Sequence, residues 1–182
     1  MESSNTLIIV GPMAAGKSTI GKRLAEALAL PFYDSDQVIE ERSGVTVSWI
    51  FEVEGESSFR AREENVIDEL TQKQNIVLAT GGGAILSPLS RDRIKARGYV
   101  VYLEVSLEEQ IRRTERDPLQ RRPLLQAPDR KEVLRTLREM RDPLYQSVAD
   151  LTMHTDRCSQ RDLLRDIVSA FKNNKKKIAC KD

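Results

Sequence analysis

The sequence predicts an α/β fold in which a parallel β-sheet is covered by helices on both faces. Short apolar runs, each too brief for a helix, alternate with longer segments whose apolar residues recur at helical spacing. Apolar runs of this length suit strands buried on both faces, which occur in parallel sheets flanked by helices. The chain has 182 residues and no internal repeat, so we expect one domain.

The elements can be placed in order along the chain. The candidate strands are the apolar runs at 7–10, 31–34, 76–79, 99–103 and 151–154. The candidate helices, which show apolar residues at helical spacing, lie at 18–30, 57–73, 90–97, 129–141 and 159–171. A further helix is expected to begin at the capping box of Ser106 and Glu109. Residues 114–128 carry three prolines and predict a loop, and the lysine-rich residues 172–182 predict a frayed, flexible tail.

Composition argues against several functional classes. With 40% apolar and 31% charged residues, the chain falls in the range of soluble globular domains, and a net charge of +1 gives no general attraction to nucleic acid or membranes. The single histidine argues against a histidine-based metal site, and Cys158 and Cys180 lack the spacing of metal ligands. No apolar run approaches the roughly 20 residues of a membrane span, and the first residues lack the basic stretch of a signal peptide. We therefore expect a cytoplasmic protein with no nucleic-acid or membrane partner.

The segment GPMAAGKST at 11–19 matches the phosphate-binding pattern G-x-x-x-x-G-K-[ST]. It stands between a predicted strand and a predicted helix, where backbone N–H groups and the helix N-terminus can surround phosphate oxygens. Lys17 is expected to bridge the β- and γ-phosphates of a nucleoside triphosphate, and the Ser18 hydroxyl to hold Mg²⁺. The alternative is a glycine-rich turn with a surface lysine. The predicted nucleotide contacts in this loop are Ala14, Ala15, Gly16, Lys17, Ser18 and Thr19.

The phosphate-binding pattern alone does not separate a kinase from a GTPase or a motor. The chain lacks the base-reading N-K-x-D of a GTPase, and motor ATPases are usually longer. Asp34 and Asp36 lie two residues apart in FYDSD at 32–36, at the carboxyl end of a predicted strand, and would point to one side if the chain stays extended. Two carboxylates at the carboxyl edge of a sheet suit a metal-bound water and a hydroxyl substrate. The alternative is that one of them caps the following helix.

Three glycines, Gly81, Gly82 and Gly83, follow the strand at 76–79. In many enzymes with this phosphate-binding loop, a strand in this region ends in a carboxylate that helps hold Mg²⁺. Because the carboxylates here lie at Asp34 and Asp36, residues 80–83 can present bare backbone N–H groups to a substrate. Gly82→Val is therefore expected to block substrate without disturbing ATP binding.

Six sequence blocks, in this order, resemble the shikimate kinase family. They are GPMAAGKSTIGKRLA, FYDSDQVIE, FRARE at 59–63, VLATGGG, RPLL at 122–125 and RDPLY at 141–145, within a resemblance that covers residues 6–171. The resemblance implies a P-loop NTPase fold of the nucleoside monophosphate kinase type, a three-layer α/β/α structure with a five-stranded parallel sheet. It also implies a substrate-binding region at about 34–62 and a mobile lid at about 113–126.

The resemblance implies a reaction as well. Members of the family transfer the γ-phosphoryl group of ATP to the 3-hydroxyl of shikimate with Mg²⁺, a step toward chorismate and the aromatic amino acids. By position, Asp36 matches the aspartate that contacts the shikimate hydroxyls, and Asp34 matches the one that reaches Mg²⁺ through water. Arg60 and Arg141 match the arginines that bind the shikimate carboxylate, and the glycines at 81–83 match the substrate loop.

Three arginines are implied near the nucleotide. Arg122 matches the lid arginine that reaches the phosphates, and Lys17, Asp36 and Arg122 are the predicted catalytic residues. Arg113 matches an arginine beside the nucleotide, and Arg157 is a candidate to stack on the base. Forked guanidinium groups suit the binding of a carboxylate, although Arg60 and Arg141 taken singly could be surface charges of helices.

The chain departs from the family pattern in three places. Ala14 stands where many relatives have glycine, the stretch RDPLQRRPLL is about two residues longer than in close relatives, and the sequence near the adenine site is TDRCS. Two other functions remain open, namely a gluconate kinase-like enzyme of the same fold and a nucleotide-binding module without catalysis. We expect a monomer that binds ATP and shikimate.

Overall fold

The structure is a computed structural model that describes residues 5–116 and 129–179. Five strands form one parallel sheet in the order β2-β3-β1-β4-β5, and their ranges are β1 Leu7–Val10, β2 Phe32–Asp34, β3 Val77–Ala79, β4 Tyr99–Glu104 and β5 Leu151–His154. In register, Leu7 lies opposite Val77 on one side and Tyr99 on the other. All five predicted strands are confirmed, with small differences at their ends.

Eight helices pack around the sheet within the described residues. They are α1 Lys17–Leu28, α2 Ser35–Ser43, α3 Val47–Trp49, α4 Glu56–Gln72, α5 Pro88–Arg97, α6 Leu107–Glu115, α7 Arg130–Val148 and α8 Gln160–Ala179. A π-helical segment, Ile50–Glu54, follows α3, and a 3₁₀ turn, Ala84–Leu86, precedes α5. No described helix is both long and apolar enough to cross a lipid bilayer.

Side chains of the central strands alternate between two hydrophobic cores, one on each face of the sheet. Ile8 and Val10 of β1 face a core with α4, α5 and α7, whereas Leu7 and Ile9 face a core with α1 and α8. Side chains of a strand point alternately to opposite faces, so an unbroken apolar run is what a doubly covered sheet requires. The three-layer α/β/α prediction is confirmed.

Several predicted boundaries were wrong. Residues 35–54, for which no element was predicted, are largely helical. Helix α7 continues seven residues past Arg141 and includes Pro143, since Tyr145 and Val148 are buried on the sheet. Helix α6 reaches Glu115, inside the predicted loop, whose residues 117–128 lie outside the described part of the chain. Helix α8 continues beyond Phe171 to Ala179, through most of the predicted tail.

Candidate active site

A cavity of about 580 Å³ opens at the carboxyl edge of the sheet, where β1, β2 and β3 end side by side. Parallel strands leave a crevice at this edge for ligands. The cavity is lined by the phosphate-binding loop, the start of α2, the first turns of α4, the glycines after β3, the end of α6 and one residue of α7. The sequence-predicted site therefore assembles in one place from segments that are far apart in the chain.

The phosphate-binding loop is held by a backbone turn at Gly16 and by hydrogen bonds from Lys17. Gly16 takes a left-handed conformation with φ of 89° and turns the chain into α1, which begins at Lys17. The Lys17 ammonium donates hydrogen bonds of 2.8 Å to the carbonyls of Gly11 and Pro12. This geometry directs the first turn of α1 and its N–H groups toward the cavity, as anion binding at a helix N-terminus requires.

Two side chains of α6 support the same loop from outside. Gln110, which is buried, donates from Nε2 to the Met13 carbonyl at 3.1 Å, and Arg113 donates to the Ala14 carbonyl at 3.0 Å. Ala14 has φ of 61°, a left-handed conformation that glycine adopts with less strain. The alanine that stands where many relatives have glycine is therefore accommodated in a conformation that costs more for alanine than for glycine.

Ser18 and Asp34 meet at the end of β2. The Ser18 hydroxyl donates to Asp34 Oδ2 at 2.5 Å, while Asp34 Oδ1 accepts from the N–H groups of Asp36 and Gln37. Asp34 thus caps α2, so the expectation of an extended chain with both carboxylates on one side was wrong, and the alternative of a helix cap is correct for Asp34. Its second oxygen nevertheless stays at the phosphate-binding loop.

Asp36 and Glu63 form a pair of carboxyl groups beside residues 81–83, which we call the glycine loop. Asp36 Oδ1 and Glu63 Oε1 are buried without a hydrogen-bond partner among the described residues, and each lies 2.5 Å from the place that a Cβ on Gly81 would take. Burial and the Glu63 carboxylate together raise the pKa of Asp36 to about 7, against the opposing effect of Lys17 and Arg60. Burial likewise raises the pKa of Glu63. A carboxyl in this environment can exchange a proton near neutral pH.

Arg60 lies on the first turns of α4 between two acidic residues. Its guanidinium pairs with buried Glu63 at 2.6 Å and with exposed Glu56 at 2.9 Å. It also lies over two aromatic rings, 5.7 Å from the centroid of Phe51 and 5.3 Å from that of Phe59. These contacts fix Arg60 as a half-buried residue of the cavity wall, and the alternative of a surface charge does not hold for it.

Arg141 reaches the same cavity from α7. It is buried to 7% exposure, its Nη1 donates to the Gly82 carbonyl at 3.3 Å, and its Nε has no described partner. Tyr145, one turn further along α7, donates its hydroxyl to the same carbonyl at 2.5 Å. Arg141 is therefore a buried cation that faces a polar cavity rather than a surface charge.

Neighbouring side chains and backbone hydrogen bonds fix the conformation of the glycine loop. A Cβ on Gly83 would lie 2.1 Å from Arg60 Nη1, and one on Gly81 would collide with Asp36 and Glu63. The expectation of bare N–H groups at 80–83 was wrong for two of them, since the Thr80 N–H donates to the Ile9 carbonyl and the Gly81 N–H to Ser35 Oγ. A Cβ on Gly82 would make an ordinary contact with the Met13 nitrogen at 3.5 Å, and the expectation that Gly82→Val leaves ATP binding undisturbed stays a prediction.

Most of the predicted site residues line this cavity. Those that do are Ala14, Gly16, Lys17, Ser18, Thr19, Asp34, Asp36, Arg60, Gly81, Gly82, Gly83, Arg113 and Arg141. Ala15 is fully buried and does not line the cavity. Arg157 lines a separate, smaller cavity beside Glu104 and His154, away from the other predicted residues. Arg122 lies outside the described residues.

Sequence reasoning missed Glu63, Arg116 and the aromatic pair Phe51 and Phe59, all of which line the cavity. Glu63 carried a signal, because it occupies the helical stripe formed with Phe59, Val66 and Leu70, where a charged residue is unexpected. No comparable pattern marks Arg116, which follows α6 among several other arginines.

The oxygen donors at the phosphate-binding loop suit a magnesium ion. Mg²⁺ is commonly held by one or two protein oxygen ligands together with substrate phosphates and waters. The Ser18 hydroxyl and the Asp34 carboxylate provide that set next to the phosphate-binding loop. Within the described residues there is no group of three or more acidic, histidine or cysteine side chains that would form a metal cage independent of the nucleotide.

The fold and the site together define the class of protein. A phosphate-binding loop, a carboxylate at the end of the next strand and a polar cavity with two arginines belong to a P-loop kinase that acts on a small molecule. Comparison with known proteins refines this class. The family model described as shikimate kinase matches residues 13–172.

Named relatives and solved structures agree with that match. The shikimate kinase of Alteromonas mediterranea is 55% identical over 93% of this chain and 98% of its own length. Shikimate kinase 1 of Citrobacter koseri is 53% identical over 96% and 100%. The Acinetobacter baumannii shikimate kinase in complex with shikimate superposes with a TM-score of 0.89 at 47% identity, covering 95% of this chain and 96% of that one. The chain belongs to the shikimate kinase family, and it is an enzyme that transfers a phosphoryl group.

Proposed function

We propose that the protein transfers the γ-phosphoryl group of ATP to the 3-hydroxyl of shikimate and releases shikimate 3-phosphate and ADP. The observation that carries this proposal is the placement of Asp36, Arg60 and Arg141 in the same cavity as Lys17. Arg60 and Arg141 offer guanidinium groups for a carboxylate, and the phosphate-binding loop lines the same cavity. A small carboxylic acid with hydroxyl groups fits between them.

Arg60 and Arg141 would hold the acceptor by its carboxylate. Guanidinium groups donate two parallel hydrogen bonds to a carboxylate, which fixes its orientation as well as its position. Arg141 Nε has no partner among the described residues, so a bound carboxylate would satisfy it. The Phe51 and Phe59 rings beside Arg60 give the acceptor ring an apolar wall.

Asp36 would orient the attacking hydroxyl and accept its proton. Its Oδ1 is buried without a described partner, and a raised pKa of about 7 makes the carboxylate a suitable proton acceptor near neutral pH. A loose phosphoryl-transfer transition state makes a small demand on a base, so orientation of the hydroxyl is the larger part of this role.

The phosphate-binding loop and three cationic residues would stabilise the phosphates. The phosphate-binding loop and the Lys17 ammonium would surround the transferred group, and Arg113 lines the same cavity. We propose that Arg122, outside the described residues, adds charge to the γ-phosphoryl from the lid. Ser18, directly, and Asp34, through water, would hold Mg²⁺, which supplies charge neutralisation between the β- and γ-phosphates when bound.

The chain would work as one domain, with a substrate-binding region at about 34–62 and a lid at about 113–126. A cytoplasmic monomer is proposed, because the reaction uses small, diffusible substrates. The basic segment at 172–182 has no role in this proposal.

The identity of the product tests the proposal. The purified protein is incubated with ATP, Mg²⁺ and shikimate, and the product is analysed by ³¹P and ¹H NMR. We expect a single new phosphomonoester whose phosphorus couples to the hydrogen on C3 of the ring. A phosphoryl group on another oxygen, or no phosphorylated shikimate, would overturn the proposal.

A further inference from the structure

Tyr145 is a buried residue of α7 whose hydroxyl lies beside the Gly82 carbonyl and Arg141, two groups at the edge of the active-site cavity. Its side chain is 1% exposed, and its ring stacks on Tyr102 with centroids 5.1 Å apart and an interplanar angle of 21°. Its hydroxyl donates to the Gly82 carbonyl at 2.5 Å. The stacked partner uses its hydroxyl differently, because Tyr102 donates to Asp142. A buried tyrosine is thus attached directly to the glycine loop.

The Gly82 carbonyl is shared between Tyr145 and Arg141. The bond from Arg141 Nη1 is long, at 3.3 Å, whereas the bond from the tyrosine hydroxyl is short. The two donors are four residues apart on α7, so they approach the carbonyl from one face of the helix. The tyrosine bond is the shorter of the two, and the Arg141 guanidinium, which also interacts with the Tyr145 hydroxyl, keeps an Nε without a hydrogen-bond partner among the described residues.

We propose that Tyr145 is a positioning residue for the acceptor, which holds the glycine loop and keeps the Arg141 guanidinium turned toward the substrate carboxylate. This inference rests on the proposed function. Without the hydroxyl, the half-buried Gly82 carbonyl would lose its short hydrogen bond, and Arg141 would move to supply one. The guanidinium would then no longer be available to the acceptor in the same geometry.

The effect is expected to be confined to the acceptor side of the cavity. The phosphate-binding loop is held independently by Lys17, Gln110 and Arg113, each of which donates to a carbonyl of that loop. Burial raises the pKa of the Tyr145 hydroxyl, so it remains a donor throughout the pH range of an assay. ATP binding should therefore be nearly unchanged when the hydroxyl is removed.

Steady-state kinetics of two matched variants test the proposal. Tyr145→Phe should raise the KM for shikimate about fivefold to tenfold, as expected for one net hydrogen bond, with the KM for ATP changed less than about twofold. Tyr102→Phe removes the hydroxyl from the other ring of the same stack and should leave both KM values unchanged. If Tyr145→Phe keeps the wild-type KM for shikimate, or if Tyr102→Phe raises it equally, the proposal is wrong.

A rescue experiment separates positioning from stability. Incorporation of 4-aminophenylalanine at 145 restores a donor at the same place and should return the KM for shikimate toward the wild-type value. A KM that stays raised, as in Tyr145→Phe, would overturn the role of the donor. The wild-type reaction tests the proposed function separately from the role of Tyr145. A wild type that does not phosphorylate shikimate would contradict the proposed function. Unchanged kinetics of Tyr145→Phe beside an active wild type remove only the role of Tyr145.

Discussion

Asp36 and Glu63 face each other as two buried carboxyl groups, and an oxygen of each lies 2.5 Å from the point where a Cβ of residue 81 would stand. Only a glycine at 81 leaves room for both. Burial raises the pKa of Asp36 to about 7, and the nearby Glu63 carboxyl group adds to the rise because ionisation of both groups is costly at this distance. Gly81 therefore allows the two carboxyl groups to lie close together, which affects the protonation of Asp36.

Asp36→Asn should reduce kcat for shikimate phosphorylation by about 100-fold, because the amide cannot accept the hydroxyl proton. The KM for ATP should change little. The control is Asp92→Asn, an exposed aspartate of α5, which should keep the wild-type rate. The measurement is the initial rate of ADP formation at saturating substrates. Wild-type kcat in Asp36→Asn would exclude Asp36 as base or orienting group.

Asp36→Asn should also change the pH dependence of stability. A carboxyl whose pKa rises from 3.8 when unfolded to about 7 when folded contributes stability that is full at low pH and is lost as the pH rises toward 7. The asparagine variant does not suffer this loss, so its advantage in Tm over the wild type should be larger at pH 8 than at pH 5, by roughly 5–10 °C. Thermal unfolding at both pH values measures it. An equal difference in Tm at the two pH values would show that Asp36 is already ionised in the folded protein at pH 5.

Arg60→Ala should raise the KM for shikimate by roughly 10- to 100-fold, because charge-assisted hydrogen bonds to a carboxylate are lost. The loss falls mainly on KM because the carboxylate is remote from the reacting oxygen. Arg62→Ala provides a matched control on the same helix, since Arg62 pairs with Glu54 and does not line the cavity. If both variants show the same kcat/KM as the wild type, Arg60 does not bind the acceptor.

Gly83→Ala should displace Arg60 without unfolding the loop. The residue has φ of −100°, which alanine adopts readily, but its Cβ would lie 2.1 Å from Arg60 Nη1. The flexible end of Arg60 must move, so the KM for shikimate should rise roughly tenfold while Tm changes little. Gly82→Ala should have a smaller effect on that KM, because its Cβ would meet its nearest neighbours at 3.5–3.7 Å. A larger effect at 82 than at 83 would contradict this account of the loop.

The sequence allowed prediction of those features that depend on local patterns. The phosphate-binding loop, the five strands and the arginines at 60 and 141 could be placed because each is marked by a motif or an apolar run of fixed period. The carboxylate of Asp34 was ambiguous, since the same spacing serves an extended strand and a helix cap, and the structure shows the cap.

Other features depend on tertiary contacts that the sequence pattern does not show. The π-helical segment at Ile50–Glu54 has no regular period, so the wall that carries Phe51 could not be anticipated. Arg157 lies in the turn after β5, and the direction of that turn, which the sequence does not show, places it at the smaller cavity rather than at the active-site cavity. Tyr145 lies beyond Pro143, where a helix was expected to have ended, so its contact with the glycine loop was invisible to pattern reasoning.

The central claim concerns the choice of acceptor, which fold likeness alone does not settle. A gluconokinase from Sinorhizobium meliloti shares the fold with a TM-score of 0.65 at 14% identity. The most direct test measures ADP formation by the purified protein with ATP and Mg²⁺, with either shikimate or gluconate as acceptor. The arrangement of Asp36, Arg60 and Arg141 predicts rapid turnover with shikimate and a rate with gluconate no higher than the rate without acceptor. Turnover with gluconate and none with shikimate would contradict it.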